Sequence, residues 1–363
     1  MTRMIKKTKR FLKNLKESNR LLLWEDYKQR RSVVRGFPVS VHLATDAVCN
    51  LVCPMCWQRG PAGAIKHPCI EERYLKQFAR QVFPTASTLE LNVSGEPLMS
   101  RLIDRELELA EEYAVRLLVT TNGTLLNTHK ERFRALVRNA EEITFSFDSP
   151  QKKTYAFLRK GSDFDRVVEN MCLFNRARKR LSRRNRPRFT ISMVLMKRNF
   201  RDLTNMVRFV KKQGADRLVV HAMTVFTPGM KQEALDYCDD EVRRVALEAR
   251  VFAQKQNIEL LYPSIFLRSL FGHSLSGDPL SKNKAVASRP CGFLWLRTYL
   301  NALAQIVTCC APCHPVMGSL KENSFEQIWN NEAYQRMRRG FKEGPLTKVC
   351  KPCVHEGIYS SLV

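Results

Sequence analysis

The sequence predicts an α/β protein: a partial (β/α)6 parallel barrel followed by a small cysteine-rich C-terminal domain. Three observations lead there. Strand and helix periodicities alternate six times between residues 39 and 222. Six of the twelve cysteines fall within residues 289–363. The chain has 363 residues, more than one ordinary domain holds.

The elements follow in order. Apolar runs predict strands over 39–44, 88–93, 115–121, 142–148, 188–195 and 217–222. Helical spacing predicts helices over 70–82, 104–113, 128–139, 163–179 and 203–213 between them. Strands alternating with helices at this spacing make a parallel sheet, whose active sites lie at the C-terminal strand ends. A helix over 240–255, a short strand over 258–262 and a polar linker over 274–288 come next. Four regions result: a basic amphipathic lead over 1–36, a barrel over 37–225, an extension over 226–288 and a cysteine-rich domain over 289–363.

Composition narrows the classes. A hydrophobic content of 44% excludes wholesale disorder. No run approaches the roughly 18 apolar residues of a membrane span. The basic N-terminus lacks the apolar core of a secretory signal, so the cysteines point to metal or catalysis rather than to a disulfide scaffold. The net charge of +26 proposes anionic partners. Twelve Lys/Arg face three acids in residues 1–36, and eight lie in the run Asn175–Arg188. That run joins a helix to the following strand, on the barrel face opposite the active site. It reads as a solvated or weakly membrane-associated surface, with specific nucleic-acid binding disfavoured.

Cys49, Cys53 and Cys56 follow the first strand with C-x3-C-x2-C spacing, and Trp57 comes next. Three thiolates on one tight loop can hold three corners of a cubane iron–sulfur cluster and leave the fourth iron open. A structural zinc site needs a fourth ligand, which this loop lacks, so zinc is the lesser reading. Ser94-Gly95-Glu96-Pro97 ends the second strand, Thr120-Thr121-Asn122-Gly123 the third, and Ser146 and Asp148 the fourth. Each alone reads as a turn or a cap.

Together, in order at successive strand ends, these residues resemble the radical S-adenosylmethionine (SAM) superfamily. The resemblance implies a [4Fe–4S] cluster on Cys49, Cys53 and Cys56 whose open iron chelates SAM. It implies that Gly95, Glu96 and Pro97 receive the SAM amino group, although the family usually has glycine where Ser94 stands. Thr121, Asn122 and Gly123 would lie near its methionine and ribose, with Ser146 and Asp148 close by. The implied chemistry is one-electron cleavage of SAM to methionine and a 5′-deoxyadenosyl radical, which abstracts hydrogen from carbon. An external one-electron donor such as flavodoxin or ferredoxin is implied as well.

The tail holds Cys291, Cys309, Cys310, Cys313, Cys350 and Cys353, with Gly318-Ser319-Leu320 and Glu326-Gln327-Ile328-Trp329-Asn330 between them. It resembles the SPASM or twitch extension of radical SAM enzymes. Six cysteines are too few for two auxiliary cubanes, and one needs four thiolates. The assignment is Cys291, Cys309, Cys350 and Cys353, with Cys310 as the alternative to Cys309 and a four-cysteine zinc site as the rival. Cys313 is a spare thiol or a hydrogen-atom donor to a substrate radical. Cys69, Cys172 and Cys238 are isolated, and Cys172 reads as a buried core residue.

The function implied is hydrogen abstraction from a sugar, aminocyclitol or other natural product, with oxidation the leading outcome. Modification of a ribosomally made peptide and redox-neutral epimerisation, with Cys313 or Cys238 as donor, are the alternatives. A basic zinc protein bound to nucleic acid or membrane is the non-enzymatic one, and it leaves Gly95-Glu96-Pro97 unexplained. The expected location is the cytoplasm, with the basic lead available to an anionic membrane surface or an acidic partner.

Overall fold

The computed structural model describes residues 2–60, 69–91, 94–237, 239–262, 291–309, 315–348 and 350. Cys238, Cys310, Cys313, Cys353 and the expected linker over 274–288 lie outside them. The chain divides into two compact units that cut across the linear boundaries expected from sequence. The first comprises residues 1–48, 67–118 and 284–363, and the second residues 49–66 and 119–283.

The first unit begins with helix α1 (Thr2–Lys28), followed by β1 (Ser40–Ala44), α2 (Glu72–Val82), β2 (Thr88–Leu91) and α3 (Ile103–Glu112). α2 buries Leu75, Phe78, Ala79 and Val82, the i, i+3, i+4, i+7 stripe that predicted it. The first half of β3 (Arg116–Thr121) belongs here too. The cysteine-rich tail contributes α9 (Phe293–Leu296), β8 (Arg297–Asn301), β9 (Gln305–Val307), β10 (Val316–Ser319), α10 (Phe325–Trp329) and α11 (Glu332–Glu343). A capping box of Ser324 and Gln327 starts α10.

The tail is no detached appendage. β8 pairs in parallel with β1 from Ser40↔Arg297 to Ala44↔Asn301, so the tail continues the sheet that β1 and β2 begin. The strand order in this unit is β10-β9-β8-β1-β2-β3. Antiparallel pairing of β9 with β8 and of β10 with β9 completes it.

The second unit holds the cysteine loop and the end of β3, then α4 (Lys130–Asn139), β4 (Ala140–Ser146), α5 (Lys152–Leu158), α6 (Phe164–Lys179), β5 (Arg188–Leu195), α7 (Leu203–Gln213), β6 (Arg217–Ala222), α8 (Asp240–Lys255) and β7 (Glu259–Leu261). β4, β5, β6 and β7 pair in parallel in that order. Ile143, Phe145, Phe189, Ile191, Met193, Leu218 and Val220 are buried on one face, where Phe145 meets Phe174 of α6. The other face carries Glu142, Thr190, Ser192, Arg217 and His221, set by the period-2 alternation of strands. Thr190 donates to Glu142 at 2.6 Å, and Arg217 pairs with Glu259 at 2.8 Å. Glu142, Thr190, Arg217 and Glu259 lie toward the N-terminal strand ends, and Ser192 and His221 toward the C-terminal ends.

Two differences from the sequence reading bear on the site. The fourth strand was expected over 142–148 but ends at Ser146, leaving Asp148 in the loop that follows. Helix α5 was not expected: only Tyr155 and Leu158 of its seven residues are buried, too few for a periodic signal. The basic run is also not uniformly solvated. Arg178 is buried, pairing with Asp216 at 2.6 Å and donating to the carbonyls of Pro187 and Gly214.

Candidate active site

The cysteine loop belongs to the second unit. Leu51, Cys53 and Met55 pack with Leu158, Met196 and Met230, and Cys49 and Cys56 lie against the same cluster. The loop's backbone is pinned on several sides. Val52 N–H donates to Lys160 C=O at 2.9 Å, Cys56 N–H to Cys53 C=O at 3.1 Å, and Arg59 N–H to Cys56 C=O at 2.9 Å. A Cβ on Gly60 would stand 2.5 Å from the Phe226 carbonyl oxygen, so the segment after β6 lies directly on the loop. The three thiols therefore share one rigid, mostly apolar setting.

Polar contacts reach the same loop. Asn122 Nδ2 donates to Asn50 Oδ1 at 2.8 Å and lies 3.9 Å from Cys49 Sγ. Asn50 Nδ2 donates to Thr124 Oγ1 at 2.9 Å, whose hydroxyl donates to Asn122 Oδ1 at 2.7 Å. This closed set of amides ties the Thr-Asn-Gly turn after β3 to the cysteine loop. Leu51 N–H approaches Cys49 Sγ at 3.4 Å, a contact suited to a thiolate. Gly123 has φ +78°, and a Cβ there would meet the Phe145 ring at 2.8 Å. Thr121 Oγ1 accepts from its N–H.

Asp148 is fully buried, and both of its carboxylate oxygens have donors. Arg159 Nε donates at 2.5 Å and Val194 N–H at 2.7 Å, while Asn199 holds its carbonyl. Burial pushes the Cys53 thiol up to about 11. Arg159 works against that shift, and Asp148, Cys56 and Cys49 reinforce it. Arg159 stays firmly protonated despite its burial, because Asp148 and Cys53 favour the cation. A guanidinium close enough to Cys53 to favour its thiolate suits a loop that could carry thiolate ligands. Ser146 is part-buried at the C-terminal end of β4, on the face shared with Ser192.

The Gly-Glu-Pro turn lies in the first unit. Gly95 has φ +82°, and a Cβ would stand 2.4 Å from the Val48 carbonyl oxygen, so no other residue fits. Glu96 N–H donates to that carbonyl at 2.7 Å. The Glu96 side chain is buried and accepts from Leu98 N–H at 3.3 Å; Pro97 is buried beside it. Below the turn, Asp46 is fully buried and paired with Arg101 at 2.9 Å. Burial works against Asp46's charge, but the Arg101 contacts outweigh it and lower its pKa. Thr45 donates to buried Glu106 in a short hydrogen bond, and burial raises the Glu106 carboxyl to about 7.

Cys291 and Cys309 are partly buried and each packs against the cluster of Phe293, Tyr299 and Val307. Cys350 is part-buried after α11. Cys69 is half-buried, with burial first and then Asp46 raising its thiol to about 11. Cys172 approaches Gln213 at 3.4 Å on the helical side. Among the described residues, no three His, Cys, Asp or Glu side chains gather closely enough to hold one metal ion. A cubane spreads its thiolates over separate irons, so the Cys49, Cys53 and Cys56 donor set suits it better than zinc.

Sequence reasoning missed Arg159, Asn50, Thr124 and His221. Arg159 follows the unexpected helix α5, and no motif marks it. His221 is the last inward-facing residue of β6, opposite Val194, and a histidine at a strand end was the available signal. Its ring is open to solvent yet crowded by the wall around it. That crowding, with Arg159, lowers its pKa against the pull of Asp148.

A family model described as the radical SAM superfamily matches residues 47–210, and one described as an iron–sulfur cluster-binding domain, SPASM, matches residues 291–354. No curated protein matches the chain in sequence. Among solved structures, Streptococcus suis SuiB bound to S-adenosylmethionine has a TM-score of 0.65 and 16% identity, covering 85% of this chain and 69% of SuiB. SuiB bound to precursor peptide SuiA gives 0.62 and 17%, covering 92% and 73%. Native anSMEcpe with bound AdoMet and Cp18Cys peptide gives 0.60 and 15%, covering 89% and 88%. At these identities the likeness establishes a shared fold: an α/β partial barrel of parallel strands with a C-terminal SPASM domain. The cofactors that go with the two family models are [4Fe–4S] clusters and SAM. The chain carries a radical SAM domain over residues 47–210 and a SPASM domain over residues 291–354.

Proposed function

We propose that this radical SAM enzyme oxidises a carbon centre of a sugar, aminocyclitol or similar natural product, and that the SPASM domain takes up the electron left on the substrate. The observation that carries the reading is the rigid loop that gathers Cys49, Cys53 and Cys56 in one apolar cluster beside Arg159. When bound, the cluster and SAM supply a 5′-deoxyadenosyl radical that removes hydrogen from substrate carbon.

The chain's own residues then have distinct tasks. Cys49, Cys53 and Cys56 hold the cluster, and Arg159 balances its charge. Asp148 acts through Arg159, because both of its oxygens are engaged. Glu96, on a turn that Gly95 alone permits, receives the SAM ammonium in a charge-assisted contact, and Pro97 shapes that turn. Thr121, Asn122 and Gly123 form the turn near methionine and ribose, with Ser146 adjacent. Cys291, Cys309, Cys350 and Cys353 hold one auxiliary [4Fe–4S] cluster. Cys313 is held in reserve as a hydrogen donor for a redox-neutral outcome.

A peptide substrate is the second reading, favoured by fold similarity to SuiB and anSMEcpe, both solved with peptides. One anaerobic experiment tests both readings. The protein is expected to carry about eight irons and, once reduced, to convert SAM to 5′-deoxyadenosine. With deuterated candidate sugars, aminocyclitols and peptides, label appears in 5′-deoxyadenosine and the product is two hydrogens lighter. A zinc-loaded protein that forms no 5′-deoxyadenosine after iron–sulfide reconstitution defeats the proposal. Label transfer from peptides alone moves the substrate to the second reading.

A further inference from the structure

Helix α1 has two sides, and packing on the first unit explains only one of them. Leu12, Leu23 and Tyr27 are buried on the inner side. Asn19 exchanges two hydrogen bonds with the Phe37 backbone, both at 2.8 Å. Lys16 Nζ donates to the Tyr113 and Ala114 carbonyls at 2.8 Å each. Buried Asp26 accepts from Arg35 N–H at 2.7 Å. At about 100° per residue, these anchors all fall on one side of the helix. The remaining surface carries Phe11 (65% exposed), Leu21 (62%), Trp24 (43%) and Leu22 (40%). A single exposed apolar residue is ordinary, but four along one helix call for a partner.

Cations accompany these apolar residues. Arg10, Lys13, Arg20 and Lys28 are exposed among them, against Glu17 and Glu25. Glu25 is already paired with Arg35 at 2.7 Å. Lys28 Nζ lies 5.5 Å from the Trp24 ring centroid, and that ring stacks on Tyr27 at 5.3 Å. Trp24 is therefore a half-exposed aromatic with a cation at its rim, a combination suited to a boundary between water and hydrocarbon. From Thr2 to Lys16 the sequence of α1 has seven cations and no acid, so an anionic partner is drawn to this end.

We propose that the outer side of α1 docks the protein on an anionic lipid bilayer. Phe11, Leu21, Leu22 and Trp24 contact the boundary between headgroups and acyl chains, and Arg10, Lys13, Arg20 and Lys28 reach the lipid phosphates. The apolar residues stand on a convex helix, with Phe11 and Leu22 about three turns apart. A protein partner would need a matching concavity over that length, whereas a fluid bilayer needs none. α1 is already anchored along its inner side, so docking costs little ordering entropy. No described helix is long and apolar enough to span a bilayer, so the contact made by α1 is peripheral. The cations bring the helix to the surface and apolar insertion holds it there. This docking is independent of the reaction proposed above.

The test is sedimentation of the full chain with vesicles of phosphatidylcholine, alone or with about a third phosphatidylglycerol. Partitioning onto the anionic vesicles should exceed that onto the neutral ones at least about tenfold, and should fall as salt rises from about 0.1 M to about 1 M. Phe11→Ser/Leu21→Ser and Lys13→Glu/Arg20→Glu should each weaken it at least about tenfold, and Glu17→Lys should strengthen it. These side chains are exposed, so the melts of the variants should match the parent's, and any double variant that melts early is replaced by its single substitutions. With brominated acyl chains, quenching of tryptophan fluorescence should be lost in Trp24→Phe, because Trp295 and Trp329 are buried. Equal binding to neutral vesicles, binding to neither, or binding and quenching unchanged in these variants overturns the proposal. A dimer that Phe11→Ser/Leu21→Ser dissolves, with no vesicle binding, assigns the face to a second copy of the chain and overturns it as well.

Discussion

Single residues carry sharp consequences where burial meets charge. Glu106 has a folded-state pKa of about 7 against an ordinary value near 4.5. Its protonated form is the one that fits, so its contribution is present in full below about pH 4.5 and is lost as pH rises through 7. Glu106→Gln should remove that loss. The variant is expected to gain as much as about 3 kcal/mol over the parent at pH 8, and little at pH 4. Urea melts at the two pH values measure it. At Gly95 the constraint is backbone: Gly95→Ala places a methyl 2.4 Å from a carbonyl oxygen at positive φ. It should displace the Glu96 turn and lower SAM cleavage at least tenfold, read as 5′-deoxyadenosine formed, while iron content stays unchanged.

At the scale of elements, the cysteine loop depends on a helix that contributes no ligand. α5 delivers Lys160 C=O to Val52 and Arg159 to Asp148 and Cys53. Arg159→Met keeps the volume but removes the counter-charge, and it leaves Asp148 buried and unpaired. The iron content is expected to fall from about eight towards about four as the core cluster is lost. Resonance spectra of the remaining cluster should match those of the Cys49/Cys53/Cys56→Ala protein. An iron count unchanged in Arg159→Met would show that the loop needs no cation. The same elements explain the Asn-Gly turn: Asn122 braces Asn50, one residue from Cys49.

For the whole molecule, the ends of the chain are joined within the first unit. Trp295 donates to Arg31 C=O and Trp329 to Gly36 C=O, both at 2.9 Å, and Asn330 exchanges two hydrogen bonds with Val34. Buried Arg338 donates to the carbonyls of Ser32 and Leu294, and its guanidinium lies 4.5 Å from the Trp329 ring centroid. Burial lowers its pKa to about 10, so it remains charged at neutral pH. Arg338→Met should cost about 3 kcal/mol in a denaturant melt, because two buried carbonyls lose their donor. The lead before β1 and the SPASM tail are thus expected to unfold together. No described helix is long and apolar enough to cross a membrane.

The sequence by itself determined the parallel α/β class, the order of the first six strands and the cofactor family, because periodicity and motif spacing are local properties. Cys49, Cys53, Cys56, Gly95, Glu96, Asn122 and Gly123 were all legible as residues at strand ends. Tertiary structure alone decided what holds them. Asp148 is legible as a strand-end acid, but its partner Arg159 is known only once β4, β5 and α5 meet. Trp329 and Asn330 are legible as a motif, but their task of holding residues 34–36 needs contacts nearly three hundred residues apart. His42 reads as an ordinary strand residue until the pairing of β1 with β8 stacks it on Tyr299. Such pairings are set by which surfaces bury one another, and sequence spacing carries no record of that.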